Sequence, residues 1–243
     1  MAARALCFVV ALCAVQTSQA GSIFNLTAAV SSLTNVVDML KLSAETSLNS
    51  TLESIDTQVN LVVSHLEANF TSALADASEQ IQQLVQEAED EGIAAGDCNL
   101  DAASNLTTIN VGLPVSLTHC YTDNLNAFNY YVNNIENDIS ASYQAIKDAV
   151  SASTKCGILD FLPCNTKIFL NATSFEQKEA ADVAFQLADS ATAGINLVGT
   201  ITLCDEETTS QAILDVYHVV TGTQSCIEAK KAELAASSTA TSS

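Results

Sequence analysis

Tryptophan is absent from the chain, proline occurs only at Pro114 and Pro163, and the only arginine is Arg4. Each shortage excludes something. With so few basic groups the surface is anionic, so polyanions such as nucleic acid, and anionic lipid surfaces, would be repelled. Glycine and proline are too sparse to punctuate a turn-rich β-sandwich. Few large aromatics leave a core of aliphatic side chains, for which covalent cross-links are a natural supplement. There is no HExxH, no CxxC, no GxSxG, no phosphate-binding glycine loop and no GxGxxG, so no motif announces a metal centre, a cofactor or a catalytic nucleophile.

What is present begins with an export signal. Arg4 supplies the positive start, Leu6 to Val15 an apolar core, and Ser18-Gln19-Ala20 a small-residue cleavage site, so 1–20 reads as a signal peptide. Its removal takes away Arg4, Cys7 and Cys13. The chain from Gly21 then carries seven lysines against 28 acidic residues, a formal charge of −21. It keeps six cysteines: Cys98, Cys120, Cys156, Cys164, Cys204 and Cys226. An even count in an exported chain predicts disulfides. Five sequons of the Asn-x-Thr type, at Asn25, Asn49, Asn69, Asn105 and Asn171, predict N-glycosylation and a secreted, extracellular location.

From Ser22 to Glu91 there is neither glycine nor proline, and apolar residues recur at steps of three and four. The run Ile23, Leu26, Val30, Leu33, Val37, Leu40, Ala44, Leu48 continues through Leu52, Ile55, Val59, Val62, Leu66, Phe70, Leu74, Ala77, Ile81, Leu84 and Ala88, with the period of a helix. The segment 21–97 is therefore predicted as amphipathic helix. Ser50-Thr51-Leu52-Glu53 resembles a capping box and would break it, so one long helix and a hairpin are both open. A six-cysteine helical domain is predicted over 98–234. Within it Gly112-Leu113-Pro114 reads as a turn, and Leu125, Phe128, Val132, Ile135, Ile139, Tyr143, Ile146 and Val150 form a second stripe. Lys155 and Gly157 suit a helix end. Ser174-Phe175-Glu176-Gln177 is a second capping box. The helix it opens carries Phe175, Val183, Leu187, Ile195, Val198 and Ile201. Asp205-Glu206-Glu207 would open a last helix, bearing Ile213, Leu214, Tyr217 and Val220. Residues 235–243, rich in Ser, Thr and Ala, are predicted disordered. The fold class is all-α: a disulfide-bonded antiparallel helical bundle with a long N-terminal helical segment.

The cysteines are nearly symmetric about residue 161. Cys98 to Cys120 and Cys204 to Cys226 each span 22 positions. A hairpin turning at 157–163 favours nested pairs, Cys98–Cys226, Cys120–Cys204 and Cys156–Cys164. Local pairing of Cys98 with Cys120 and of Cys204 with Cys226 respects the same symmetry and stays open.

This spacing over about 98–226, after a cleaved signal and a helical stretch, resembles the TsetseEP-type domain family of secreted insect proteins. The resemblance implies an extracellular, often gut-associated protein without established enzymatic activity. The residues themselves point the same way. His65, His119 and His218 share no metal-binding spacing, and the acidic run Glu87, Glu89, Asp90, Glu91 lacks the glycine and alternation of a calcium loop. No catalytic or metal residue and no cofactor is expected. The function expected is that of a non-enzymatic interaction protein meeting an extracellular protein, a glycan or a microbial surface. The alternative is a carrier of a small apolar ligand lined by Phe128, Tyr131, Phe161, Phe169, Phe175 and Phe185. No membrane span is expected. The stripe of 22–91 must be covered. Its stutters near Leu48 and Phe70 favour packing within one chain, hence a monomer, with a dimer as the alternative.

Overall fold

A computed structural model describes residues 26–157 and 159–240. The signal segment with Cys7, Cys13 and Arg4, the cleavage site before Gly21, the sequon asparagine Asn25 and residues 241–243 lie outside them. The protein is all-α. Its described residues form α1 (Leu26–Asp90), α2 (Gly96–Ser153) and α3 (Phe161–Ala240), with no strand among them. Contacts gather these residues into two compact units. One combines 26–55 with Asn126–Leu197, the other Asp56–Leu125 with 198–240. Each unit draws on all three helices, so each holds part of the N-terminal segment and part of the six-cysteine region.

Helix α1 is unbroken, which decides between the long helix and the hairpin. Of the stripe read from the sequence, Leu33, Val37, Leu40, Ala44, Leu48, Ile55, Val59, Phe70, Ala77, Ile81 and Ala88 are buried, Leu26, Val30, Leu52, Val62, Leu66, Leu74 and Leu84 are half-buried, and Ile23 lies outside the described residues. The capping box at Ser50–Glu53 does not act as one. Thr51 instead donates its hydroxyl to the Ser47 carbonyl at 3.0 Å, inside the helix. In the second unit Phe70, Ala77, Ile81, Val85 and Ala88 of α1 share a core with Ala102, Leu106, Leu113 and Leu117 of α2 and Ala212 and Val216 of α3. The α1 stripe is thus covered by its own chain. Helix α1 ends in a Schellman arrangement: Ile93 N–H reaches the Ala88 carbonyl and Gly92 N–H the Glu89 carbonyl, both at 2.9 Å. Gly92 has φ +80°, a conformation open to glycine at little cost.

Helix α2 runs through Gly112-Leu113-Pro114, where the sequence predicts a turn. A mid-helix proline costs about 3 kcal/mol. Here its ring faces water, while Leu113 and Leu117 on either side are buried. Burial of those leucines in the unit's core outweighs the local signal. Helix α2 stops at Ser153, and Lys155 lies just beyond it.

Helix α3 departs furthest from expectation. It runs without interruption through Ser174–Gln177, through Asp205–Glu207 and through 235–240, where a cap, a new helix start and a disordered tail are predicted. Alanine, the strongest helix former, dominates the last segment. The buried face overlaps the predicted one only in part: Val183 and Ile201 are buried, whereas Phe175 is exposed. Ser190, Leu197, Ile201, Asp205, Thr209, Ala212 and Val216 face inward at helical spacing, while Ile195, Leu214 and Tyr217 are exposed. Small and polar residues let α3 approach closely. At Gly194 an added Cβ would lie 2.7 Å from the Thr51 methyl of α1. By length and composition alone α3 is apolar enough to cross a membrane, with a window of mean hydropathy 1.2 of which 22% is buried.

Three disulfides close the fold: Cys98–Cys226, Cys120–Cys204 and Cys156–Cys164, with Cα separations of 5.9, 5.7 and 5.9 Å. They form the nested set. The first two tie α2 to α3 in the second unit, and the third clamps the α2–α3 turn in the first.

Candidate functional site

Four sequon asparagines fall among the described residues, and Asn49, Asn69, Asn105 and Asn171 are all exposed on helix surfaces. Each is followed two positions on by a threonine whose hydroxyl donates to the carbonyl four residues before it: Thr51 to Ser47, Thr71 to Glu67, Thr107 to Ala103 and Thr173 to Phe169. The helix thus satisfies the threonine and leaves the asparagine amide outside. Asn69 is partly engaged, its amide lying 3.4 Å from a ring nitrogen of His65.

Two open grooves lie between α1 and α2, one in each unit. The first holds about 320 Å³ over a floor of Ala44, Leu48, Ile135 and Ile139. Its rim carries Lys41, Glu45, Glu136, Ser140 and Tyr143, with Lys41 and Glu45 paired at 3.7 Å. The second holds about 290 Å³ and offers uncharged amides and hydroxyls, Gln82, Asn99, Asn110, Ser78 and Thr107, over Leu74, Ile81 and Leu106. Of the six aromatics expected to line a carrier cavity, Phe128 and Tyr131 are in contact, their ring centroids 6.2 Å apart. Phe128 and Phe169 are buried, Phe161, Phe175 and Phe185 are exposed, and none of the six lines either groove.

The three histidines are exposed and dispersed, and no cluster of three or more His, Cys, Asp or Glu is arranged for a metal among the described residues. The acidic run at the end of α1 serves structure: Glu91 accepts an ion pair from Lys231 at 2.5 Å, and Lys230 reaches Asp97 at 3.3 Å.

Sequence reading missed three buried carboxyls: Glu179, which pairs with Lys178 at 3.4 Å, and Asp205 and Glu176. Asp205 is fully buried, and neither of its oxygens has a hydrogen-bond partner. Burial pushes it up to about 6. Glu176, read as part of a cap, is buried close to Ser142 of α2. Burial pushes Glu176 up to about 7; the Ser142 hydroxyl opposes this and the charge of Glu179 adds to it. Neither Asp205 nor Glu176 lines either of the two grooves. The one available signal was spacing: Asp205 and Thr209 lie four apart and in step with Ile201.

Comparison with family models, with curated proteins and with solved structures finds no match to this chain.

Proposed function

We propose that the protein is a secreted, glycosylated, non-enzymatic interaction protein, whose helical surface meets an extracellular protein, a glycan or a microbial surface. The observation that carries this reading is the exposure of all four described sequon asparagines on a bundle tied by three disulfides. Disulfides persist in oxidising compartments, and sugars at those positions would meet water without disturbing the core. The cysteine spacing keeps the resemblance to the TsetseEP-type family, with its gut or defence setting, as part of the proposal. Burial of the α1 stripe on its own chain supports a monomer. A soluble rather than membrane-spanning chain is supported by α3 itself, whose Gly194 packs on α1 and whose Cys204 is bonded to α2.

Expression with residues 1–20 in secreting cells tests the reading. Release into the medium, with a mass drop of several glycans on treatment with an N-glycan amidase, is expected. Retention without glycans contradicts it. The carrier reading is favoured by one observation, the apolar floor of the 320 Å³ groove. Organic extraction of the secreted protein followed by mass spectrometry separates the two, since a stoichiometric small lipid supports the carrier.

A further inference from the structure

We propose that the groove between α1 and α2 in the second unit is a binding site for a short neutral saccharide. The proposal deepens the reading of a secreted interaction protein, on which it rests, by naming a ligand class and its site.

The lining carries no charged residue. Leu74, Ile81 and Leu106 form the floor, and the amides of Gln82, Asn99 and Asn110 stand over it with the hydroxyls of Ser78 and Thr107. The helical turn explains how this arises in a chain with 28 acidic residues. Asp76 is two positions from both Leu74 and Ser78, and Asp101 two positions from both Asn99 and Ala103. Each is therefore turned about 200° from the lining residues on its helix. Glu79 is turned about 100° from Ser78 and holds the Gln83 amide at 3.4 Å. Asp97, two positions before Asn99, is paired with Lys230 at 3.3 Å. The next acids on the same face of α1, Glu67 and Glu89, stand about 10 Å beyond Leu74 and Gln82 along the helix. No lysine or arginine occurs between Lys41 and Lys147.

The groove amides are also uncommitted. Elsewhere in this unit Gln83, Gln86, Gln211 and Gln224 each donate to a carboxylate four positions away. The residues four positions from Gln82, Asn99 and Asn110 include no acid, so no carboxylate captures these amides and they stay open to a ligand.

This lining selects a chemistry. An anion would meet no cation there and would be opposed by the net charge of −20. A cation would meet no anion. A purely apolar ligand would cover the amides and leave them without partners, at a cost for each. Saccharide hydroxyls both donate and accept, as amides do, and the C–H face of a sugar ring can lie on the aliphatic floor. At about 290 Å³ the groove is at the small end of ligand sites, which suits a short chain. The protein's own sugars keep clear of it. Asn105 is turned about 200° from Ala103 and Thr107, and Asn69 about 140° from Leu74.

The test uses the oxidised, glycosylated full-length secreted protein, with cellotriose, maltotriose and triacetylchitotriose as probes in saturation-transfer NMR and calorimetry. At least one should bind, with an affinity unchanged by enzymatic removal of the N-glycans. Gln82 and Asn110 are exposed, so the double variant Gln82→Leu, Asn110→Leu should keep its circular dichroism. It should lose about tenfold in affinity per amide. Gln82→Glu, nearly isosteric, should weaken binding as well. Glu45→Gln, Glu136→Gln in the first groove should leave it unchanged. The proposal is overturned if none of the three saccharides binds up to millimolar concentration, or if the Gln82, Asn110 variant binds like the parent. Loss of binding in the first-groove variant or after deglycosylation overturns it too. So does tighter binding of the anionic trigalacturonate. A neutral Gly-Ser peptide that competes with equal affinity also overturns it, and makes the groove a peptide site. None of these outcomes alters release into the medium or the glycan mass shift, so failure of the groove and failure of the secreted reading are told apart.

Discussion

Tyr143 of α2 donates its hydroxyl to Asp38 of α1 at 2.5 Å, joining residues 105 positions apart. Tyr121 makes the same kind of bond to Asp56 in the second unit. These two bonds matter because no disulfide reaches α1, which buries its apolar stripe against the other two helices. Both phenols are pushed up to about 12. For Tyr143 the hydrogen bond to Asp38 is the main cause, and for Tyr121 it is burial, followed by the bond to Asp56.

A phenol whose folded value lies above its unfolded value of about 10 stabilises the fold while protonated. That contribution is complete below pH 10 and is lost as pH rises towards 12. In an ultraviolet titration, two of the five tyrosines should ionise only near pH 12. In Tyr121→Phe, Tyr143→Phe that late phase should vanish, and stability at pH 7 should fall by about 1 kcal/mol per bond.

The buried carboxyls predict the opposite end of the pH scale. Asp205 and Glu176 hold their protons up to about 6 and about 7 in the fold, but only to about 4 in the unfolded chain. The folded state therefore binds more protons between those limits, and stability falls as pH rises through them. The thermal midpoint should be higher at pH 4.5 than at pH 7.5. Asp205→Asn should flatten that dependence, by about 3 kcal/mol or less. A stability that climbs steadily from pH 4 to 7 in the parent protein rules this out.

Gly194 and Gly222 both lie inside α3 and should respond oppositely to alanine. A Cβ at Gly194 meets the Thr51 methyl at 2.7 Å, whereas nothing lies within 4 Å at Gly222. Gly194→Ala should cost about 1–3 kcal/mol through overpacking. Gly222→Ala should stabilise by about 0.5–1 kcal/mol by favouring the helix. Urea unfolding of the two variants side by side checks the contrast.

The disulfides should be unequal. In the chain-entropy account a longer closed loop gives more stabilisation. Removing Cys98–Cys226, with a separation of 128, should cost about 2–5 kcal/mol. Removing Cys156–Cys164, with a separation of 8, should cost clearly less. Equal midpoints for the two double-serine variants would contradict this ordering.

The sequence made α1 readable because its apolar residues repeat at three and four positions without glycine or proline, and burial follows that stripe. The errors arose where short local signals compete with packing along a long helix. Pro114 reads as a turn, yet Leu113 and Leu117 bury on either side of it. Ser50-Thr51-Leu52-Glu53 and Ser174-Phe175-Glu176-Gln177 have the letters of caps, yet both lie mid-helix, and Glu176 points inward. Helix α3 misleads most, because Ser190, Gly194, Asp205 and Thr209 share its hidden face with Val183, Leu197, Ile201 and Val216, while Ile195 and Leu214 face water. Hydrophobic periodicity does not reveal a seam interrupted by small and polar residues.

The most direct test of a secreted, nested-disulfide glycoprotein is a non-reducing peptide map of the exported chain after enzymatic removal of N-glycans. The expected map starts at Gly21, links Cys98 to Cys226, Cys120 to Cys204 and Cys156 to Cys164, and shows aspartate in place of asparagine at the occupied sequons among Asn49, Asn69, Asn105 and Asn171. A map linking Cys98 to Cys120, free thiols at these positions, or four unmodified asparagines would contradict the account.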